Sequence, residues 1–425
     1  MKFDEIKYQT YVNILKEELV PAMGCTEPIA IAYCGSLLRD TLGNVPTKII
    51  IKVSGNIIKN VKSVIVPHTN GLYGIDTAAC VGILAGKSDK ELQVISEVSD
   101  DDIKELPIFI KKMNISIEPV NNEHVLYIEI VGYFNDDVAR VVICDSHTHV
   151  SLIEKNNVVL YNDDKKVVNQ LINEKKSLLN IEDIVKFADI VKIEDVKKVL
   201  DRQIQYNMSI AKEGLNNKYG ANIGKTILKY SENNIVEYCK ALAASGSDAR
   251  MNGCNMPVVI NSGSGNQGIT ASVPVIAYSE KKGIDKELLY RALVVSNLCT
   301  IHIKNSIGKL SAFCGVVIAG AGSGAGIAYL EGGKFEEVAH TLVNSLAIIS
   351  GVLCDGAKSS CAAKIASSVE AGFLGYYMYK EGNEFIGGDG IVKKGVENTI
   401  KAIGELAREG MCETDKEIIH IMIDK

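Results

Sequence analysis

The amino-acid sequence predicts an α+β protein, with a mainly helical domain built from both ends of the chain and a smaller α/β domain inserted between them. Two observations support this division. Apolar residues recur at helical spacing over the first 45 residues and again from about residue 180 onward. The segments between them are β-branched and alternate in polarity. We therefore expect residues 1–45 and 176–425 to form one domain and residues 46–175 the other.

The N-terminal part of the chain is predicted to form two helices. Tyr11, Leu15 and Leu19 give the first an apolar stripe. The second begins near Cys25 and has Pro28 in its first turn, where proline is well tolerated. At a helix start, the dipole and the free N–H groups would lower the pKa of the Cys25 thiol, which suits a base or a nucleophile. A buried thiol beside a capped helix start is the alternative.

Residues 46–175 contain most of the predicted strands. The strand-like segments read TKIIIKVSGNIIKNVKSVIVP, NISIEPV, EHVLYIEIVGY, VARVVICDSHTHVSLIEKN and NVVLYN. On the fourth of them, alternation would place Asp145, His147 and His149 on the same face, a spacing that could hold a metal ion. A solvent-exposed strand face without a metal is the alternative.

Helices predominate from about residue 180, and those within 251–372 are rich in Gly, Ala and Ser, which lets backbones approach closely. The segment NSGSGNQGIT has the G-x-G-x-x-G spacing of dinucleotide-binding loops but lacks the acidic residue expected about 20 positions later. We interpret it as an anion cradle for a small carboxylate, with polar side chains from Ser262, Ser264, Asn266 and Gln267. The segment GANIGKT is one residue short of a P-loop and follows a helix, so ATP binding is not expected.

Composition and charge argue against several classes of protein. The net charge is −6 with both signs interspersed, and only 6% of residues are aromatic, with no Trp, which is unlike a nucleic-acid-binding protein. The charged N-terminus does not resemble a signal peptide. The uncharged stretches 251–279 and 310–330 fit buried segments better than membrane spans. We expect a cytoplasmic protein without a membrane partner, and a homo-oligomer stays open.

The chain has eleven cysteines, an odd number that indicates reduced thiols. Such thiols serve as small apolar residues or as metal ligands. Five of them lie within apolar stretches, which predicts that they are buried core residues. These five are Cys34, Cys80, Cys144, Cys239 and Cys299.

Three further cysteines, Cys314, Cys354 and Cys361, lie beside glycine or small residues and are 40 and then 7 positions apart. Gly356 is expected to end a helix, and a new helix near residue 360 would then place Cys361 in a first turn. The spacing is neither that of a zinc finger nor that of a ferredoxin, so it leaves metal binding and simple burial both open. If the three thiolates held a [4Fe–4S] cluster, one iron would lack a protein sulfur and could act as a Lewis acid.

Five segments taken together closely resemble the L-cysteine desulfidase family, also called the UPF0597 family. They are VPAMGCTEPIAIAY, NSGSGNQGIT, IGKLSAFCG, LCDGAKSSCAAK and EGMCETDKEI. The resemblance runs in matching order from about residue 10 to the C-terminus. Residues 251–412 also resemble, more distantly, the catalytic domain of iron–sulfur L-serine dehydratases. The resemblance implies an oxygen-sensitive carbon–sulfur lyase with a [4Fe–4S] cluster, which converts L-cysteine to pyruvate, ammonia and sulfide.

The same resemblance implies roles for individual residues. Cys314, Cys354 and Cys361 would ligate the cluster, and Cys25 would be the catalytic thiol. In the serine dehydratases a cysteine of the C-terminal tail caps the free iron, whereas the tail here reads HIMIDK. Cys412 lies near the end but precedes a predicted helix, so we do not expect it to take that part.

The expected reaction is a β-elimination in which Cys25 removes the α-proton while the substrate's carboxylate lies against the 262–268 loop. Lys304 and Lys309 are candidates for stabilising the carbanion, and solvated surface lysines are the alternative reading of both. Two other functions stay open at this point. One is an L-serine dehydratase, because iron accepts both oxygen and sulfur ligands. The other is a metal-binding sensor without catalysis.

Overall fold

The computed structural model describes residues 4–120, 122, 124–163, 175–232, 234–308 and 311–423. The architecture over these residues is α+β, as the sequence predicts, with a six-stranded sheet, a two-stranded sheet and long runs of helix. In this part of the chain no helix combines the length and the apolar character needed to cross a bilayer. The proposed division into two domains at residues 45 and 175 stays a prediction.

The helices bury apolar faces in one continuous core. Those before residue 120 are α1 (Glu5–Glu18), α2 (Thr26–Leu42), α3 (Gly55–Val61), α4 (Ile75–Ala85) and α5 (Asp100–Lys112). Those after residue 180 are α6 (Ile181–Ile190), α7 (Ile193–Asn216), α8 (Ile223–Tyr230), α9 (Ile235–Met251), α10 (Gly265–Lys282), α11 (Lys286–Ile307), α12 (Gly315–Leu330), α13 (Phe335–Ile349), α14 (Ser360–Lys380), α15 (Val396–Glu405) and α16 (Cys412–Ile423). The five cysteines predicted as core residues are all buried.

The large sheet is made of strands between residues 48 and 162. They are β2 (Lys48–Ser54), β3 (Asn114–Val120), β4 (Tyr127–Phe134), β5 (Asp137–Cys144), β6 (Val150–Lys155) and β7 (Val158–Asn162), in the spatial order β3-β2-β4-β5-β6-β7. β2 and β3 are parallel, and the other pairs are antiparallel. Helix α2 covers this sheet by packing against β4 and β5.

A second, two-stranded sheet joins the N-terminal segment to the later helices. β1 (Pro21–Met23) pairs antiparallel with β8 (Pro257–Val259), so that Ala22 lies opposite Val258. The pairing places the segment before Cys25 beside the start of the glycine-rich loop, although the two are far apart in sequence. This sheet therefore determines where two of the predicted site segments meet.

Helix α12 lies at the centre of the helical region, with every residue from Val316 to Leu330 buried. A Cβ atom at Gly320 would lie 2.4 Å from the carbonyl oxygen of Ser368 in α14, which is shorter than any real contact. The glycine therefore allows the two helix backbones to touch. The expectation that small residues in this region permit close helix packing is confirmed.

Three predictions about individual segments were wrong, and two of them concern the region around α3. The second half of the first strand-like segment forms helix α3, in which Ile57 and Val61 are both buried one turn apart. Gly356 does not end a helix, because α13 already ends at Ile349. Instead its φ of +93° lets the chain pass against α3, where a Cβ would lie 2.3 Å from the carbonyl oxygen of Lys59.

The predicted strand that carries Asp145, His147 and His149 is divided into β5 and β6. Asp145 lies in the turn between them with a φ of +64°. The turn abolishes the alternation on which the shared face depended. The three side chains consequently have different partners, and the prediction that they share one strand face was wrong.

Candidate active site

An antiparallel bridge brings Cys314 and Cys354 together. The Cys314 N–H donates to the Val352 carbonyl oxygen (3.1 Å), and the Cys354 N–H donates to that of Ala312 (2.6 Å). Cys314 is the N-cap of α12, and the two thiols are hydrogen-bonded to each other. Cys314 and Cys354 are therefore neighbours in space, although they are far apart in sequence, because two loops pair through this short bridge.

Cys361 lies in the first turn of α14, as the sequence predicts. Its sulfur lies 3.6 Å from the Gly356 carbonyl oxygen, its charge acts on Cys314, and the charge of Cys354 acts on it. No disulfide forms between any cysteines of the described chain, since all eleven are free. Three thiols thus converge at the starts of two helices, although burial raises the pKa of Cys361 in spite of its position in a first turn.

Lysines surround the three thiols. Lys304 is 8% exposed, and its Nζ makes no hydrogen bond or ion pair with any described residue. Burial lowers the pKa of Lys304 to about 8, although the charges of Cys354 and Cys314 oppose this. The side chain of Lys59 is 2% exposed, and its Nζ lies 2.5 Å from Asp415 Oδ1. The alternative reading of Lys304 as a solvated surface lysine was wrong, and Lys309 lies outside the described residues.

The electrostatics of the cysteine pair are asymmetric. The hydrogen bond from Cys314 lowers the pKa of Cys354, and the nearby charges of Lys59 and Lys304 act in the same direction. The same hydrogen bond, together with burial, raises the pKa of Cys314. An unpaired buried ammonium group beside clustered thiols is the environment that an anionic thiolate-bound metal group requires. The residues present therefore fit a metal cluster held by these three sulfurs.

Cys25 lies beside the same cluster. It packs in a small apolar group with Val64 and Met251, against which Cys361 also packs. Cys25 is the N-cap of α2, as predicted, and its Sγ lies 3.0 Å from Glu27 Oε2. Burial raises the pKa of the Cys25 thiol well above its usual value, and the Glu27 charge raises it further. The expected lowering of that pKa by the helix start was wrong, because these two effects outweigh the dipole.

Glu27 forms a polar group that the sequence did not identify. Its Oε1 accepts a hydrogen bond from Asn60 Nδ2 (3.2 Å) and lies 3.8 Å from His147 Nε2. Burial would raise the pKa of Glu27, but the interactions with His147 and with the Cys25 thiol hold it at about 2. The carboxylate is therefore ionised, and it is the acceptor for the Cys25 S–H.

His147 reaches this group from the turn between β5 and β6. Its ring also packs against the glycine-rich loop, because a Cβ at Gly263 would lie 3.4 Å from His147 Cε1. The six-stranded sheet thus supplies a titratable side chain to the site. The histidine-containing segment stood out in the sequence, but the adjacent residues suggested a metal ion and not a contact with Glu27.

The four predicted binding residues lie where the glycine-rich loop enters α10. Ser262 donates to Asn261 Oδ1 (2.9 Å), and Ser264 is the N-cap that accepts from the Gln267 N–H. Asn266 Oδ1 and Gln267 Oε1 are buried and have no partner among the described residues. The loop therefore holds two serines in its own hydrogen bonds and leaves two amide oxygens free to bind a ligand.

The loop and the cysteine-bearing helix are in contact. A Cβ at Gly315, the first residue of α12, would lie 2.7 Å from Gln267 Cδ. On the other side, the Thr26 hydroxyl lies 3.0 Å from the Gly263 carbonyl oxygen. The loop is consequently placed between the start of α2, next to Cys25, and the start of α12, next to Cys314.

Arg250 is a further residue that the sequence did not identify. It lies in the last turn of α9, is 2% exposed, and acts on Cys25 through its positive charge. Arginine in a helical segment carries no sequence signal of burial. Only the tertiary structure places it in the site.

The remaining candidates do not join the site. His149 Nδ1 lies 2.9 Å from the Cys144 carbonyl oxygen, and Asp145 pairs with His124 at 2.9 Å. The side chains of His124, Cys144 and Asp145 bring their ligand atoms within 4.8 Å of one another, which could hold a metal ion elsewhere in the molecule. Cys412 is exposed at the start of α16, whereas Cys25 and Cys314 are buried and Cys354 and Cys361 are partly buried.

Comparison with known proteins shows which family the chain resembles. A family profile described as "Serine dehydratase alpha chain" matches residues 89–420. The chain is 55% identical to a UPF0597 protein of Desulfitobacterium hafniense, over 98% of this chain and 97% of that protein. It is 43% identical to a UPF0597 protein of Treponema denticola over the full length of both, and 45% identical to one of Finegoldia magna over 98% of this chain and all of that protein.

Proposed function

The chain belongs to the UPF0597 family, which is related to the serine dehydratase alpha chain, and from that premise we propose that it is a carbon–sulfur lyase. Its substrate would be L-cysteine, and its products pyruvate, ammonia and sulfide. The observation that carries the proposal is the convergence of three free thiols with Cys25, since Cys361 and Cys25 pack against the same apolar group.

Cys314, Cys354 and Cys361 are proposed to hold a [4Fe–4S] cluster. The buried, unpartnered ammonium group of Lys304 supports this, because an anionic group beside it would offset the cost of burying its charge. When bound, such a cluster supplies a Lewis acid with one position free of protein sulfur, suited to the leaving group of a substrate. Side chains of the protein carry out the remaining steps.

Cys25 is proposed to remove the substrate's α-proton. Without substrate the thiol keeps its proton, because burial and the Glu27 carboxylate both disfavour the thiolate. A substrate ammonium group placed nearby would favour the thiolate. The hydrogen bond to Glu27 holds the sulfur in one orientation, and His147 in turn holds Glu27 ionised.

The proposed elimination is balanced without a further reagent. With Cys25 in its thiolate form, the Cα–H bond breaks and its proton passes to the Cys25 sulfur, which later gives it to the departing sulfide. The electron pair forms the Cα=Cβ bond, and the Cβ–S bond breaks to release sulfide. The aminoacrylate that remains tautomerises and takes up one water molecule to give pyruvate and ammonia. Burial of Cys25 excludes bulk water from the proton transfer.

The domain arrangement belongs to the same proposal. We infer that residues 1–45 with 176–425 form the catalytic domain and that residues 46–175 form a smaller domain that contributes Lys59, Asn60 and His147 to the site. A cytoplasmic location is expected because oxygen sensitivity and reduced thiols favour a reducing compartment.

L-serine is the second candidate substrate, because the matching family profile bears the name of serine dehydratase. Anaerobically purified protein should be assayed for iron, acid-labile sulfide and absorbance, and then for sulfide released from L-cysteine and pyruvate released from L-serine. The proposal expects a coloured protein that turns over L-cysteine in preference. A preference for L-serine would select the dehydratase, and metal content without turnover of either would select a sensor.

A further inference from the structure

Arg250 is a buried cation without a partner. It is 2% exposed, and its side chain makes no hydrogen bond or ion pair with any described residue, its Nε included. An isolated charge inside a protein costs several kcal/mol unless an opposite charge meets it. The described residues supply no such charge, so the guanidinium group is arranged for an anion from outside the chain.

The surroundings of Arg250 place that anion in the candidate active site. The guanidinium charge acts on Cys25 and favours its thiolate. A Cβ at Gly265 would lie 2.3 Å from Arg250 Nε, so the end of the glycine-rich loop lies in contact with the guanidinium group. The cations that act on Cys354, by contrast, are Lys59 and Lys304. Arg250 therefore lies beside the space between Cys25 and the glycine-rich loop.

We infer that Arg250 binds the α-carboxylate of the substrate. A guanidinium group matches a carboxylate with two parallel hydrogen bonds, which fixes the orientation of the molecule as well as its charge. The unpartnered oxygens of Asn266 and Gln267 are acceptors, and they suit the ammonium group of the same molecule. This inference rests on the proposed function and makes it more specific: the substrate must be a free α-amino acid, and amides, esters and simple amines are excluded.

Equilibrium binding tests this assignment without turnover. L-alanine has the carboxylate and the ammonium group but no leaving group, and L-alaninamide differs only in lacking the negative charge. The full chain, purified anaerobically, should bind L-alanine more tightly than L-alaninamide. Arg250→Gln should weaken L-alanine binding by about 100-fold and leave L-alaninamide binding unchanged, so that the preference disappears. Arg250→Lys keeps the positive charge but not the paired N–H donors of the guanidinium group. Its affinity for L-alanine should therefore fall by less than that of Arg250→Gln.

Arg291→Gln is the matched control. Arg291 is a partly buried arginine whose groups bind Glu287 and the Ala188 carbonyl oxygen, so its partners are already within the protein. This variant should keep the wild-type affinity for both ligands. Iron content should be unchanged in every variant, and loss of iron in Arg250→Gln would assign the guanidinium to the cluster and overturn the inference.

A stability measurement separates binding from a structural role. If Arg250 is unpaired without ligand, Arg250→Met should leave the Tm of the ligand-free protein unchanged or raise it, whereas a lower Tm would overturn the inference. Two other results would also overturn the inference. One is that Arg250→Gln binds L-alanine as tightly as the wild type does, and the other is that the wild type does not prefer L-alanine to L-alaninamide. Sulfide release from L-cysteine is measured separately, because it tests the proposed function and not the role of Arg250. A wild type that binds L-alanine through Arg250 and yet releases no sulfide refutes the proposed function alone.

Discussion

Replacing Asn207 tests whether the glycine-rich loop is positioned by buried hydrogen bonds. Asn207 lies in α7 and is fully buried. Its Oδ1 accepts from the Val259 N–H (2.8 Å), and its Nδ2 donates to the Val259 carbonyl oxygen (3.1 Å). Nδ2 also donates to Ser272 Oγ (2.9 Å). One side chain therefore satisfies both backbone groups of the residue that ends β8, just before the loop.

The magnitude follows from the groups left without partners. Asn207→Leu keeps the size of the side chain but leaves a buried N–H and a buried C=O unsatisfied. Each costs about 1–3 kcal/mol, so the free energy of unfolding should fall by about 2–6 kcal/mol. The end of β8 should also shift, and L-alanine should bind more weakly, because Asn266 and Gln267 follow within the same loop.

The assay is urea unfolding followed by circular dichroism, with L-alanine binding as the second readout. Asn216→Leu is the matched control, because Asn216 lies on the same helix but its side chain is exposed. The control should stay within about 0.5 kcal/mol of the wild type, as surface substitutions usually do. A loss below about 1 kcal/mol for Asn207→Leu, with unchanged ligand affinity, would refute the reasoning.

Three further perturbations test the site. Glu27→Gln removes the charge that raises the pKa of Cys25, so the rise of activity with pH that accompanies deprotonation of Cys25 should move to lower pH; an unmoved rise contradicts Cys25 as the base. The same carboxylate, with its pKa at about 2, stabilises the fold above about pH 4.5 and ceases to do so as the pH falls through 2, so Glu27→Gln should flatten the dependence of Tm on pH across that interval. Cys314→Ser should lose iron and acid-labile sulfide together, and retention of both would exclude Cys314 as a ligand. A Cβ at Gly268 would lie 2.0 Å from a backbone carbonyl oxygen of β8, so Gly268→Ala should lower Tm and ligand affinity, while Gly351→Ala, with open space around it, should change neither.

Local features of the site could be predicted from the sequence because they depend on neighbouring residues. Cys25 precedes α2 and Cys361 lies in the first turn of α14, as the helix-start signals indicate. The turn at Asp145 was missed because the β-branched residues on both sides of it predict one continuous strand. The positive φ of Asp145, on which the turn depends, cannot be seen in the sequence. The helix α3 was missed because a short segment with alternating and helical spacing fits both patterns.

The properties that depend on burial could not be predicted. Cys25 has the expected position but a raised pKa, because its solvent exposure and its distance to Glu27 are set by packing. Arg250 looks like an ordinary helical arginine until the fold encloses it. Lys304 was a candidate only by its proximity in sequence to Cys314, and its burial without a partner is a fact of the tertiary structure.

The sequence by itself determined the α+β class, the helix starts that carry the thiols and the residues of the glycine-rich loop, because each depends on the periodicity and chemistry of a short segment. Only the tertiary structure decided that His147 reaches Glu27, that three distant thiols converge, and that Arg250 stands unpaired beside Cys25. The physical reason is that charge, desolvation and proximity between distant segments are created by the packing of the whole chain, and no local pattern specifies them.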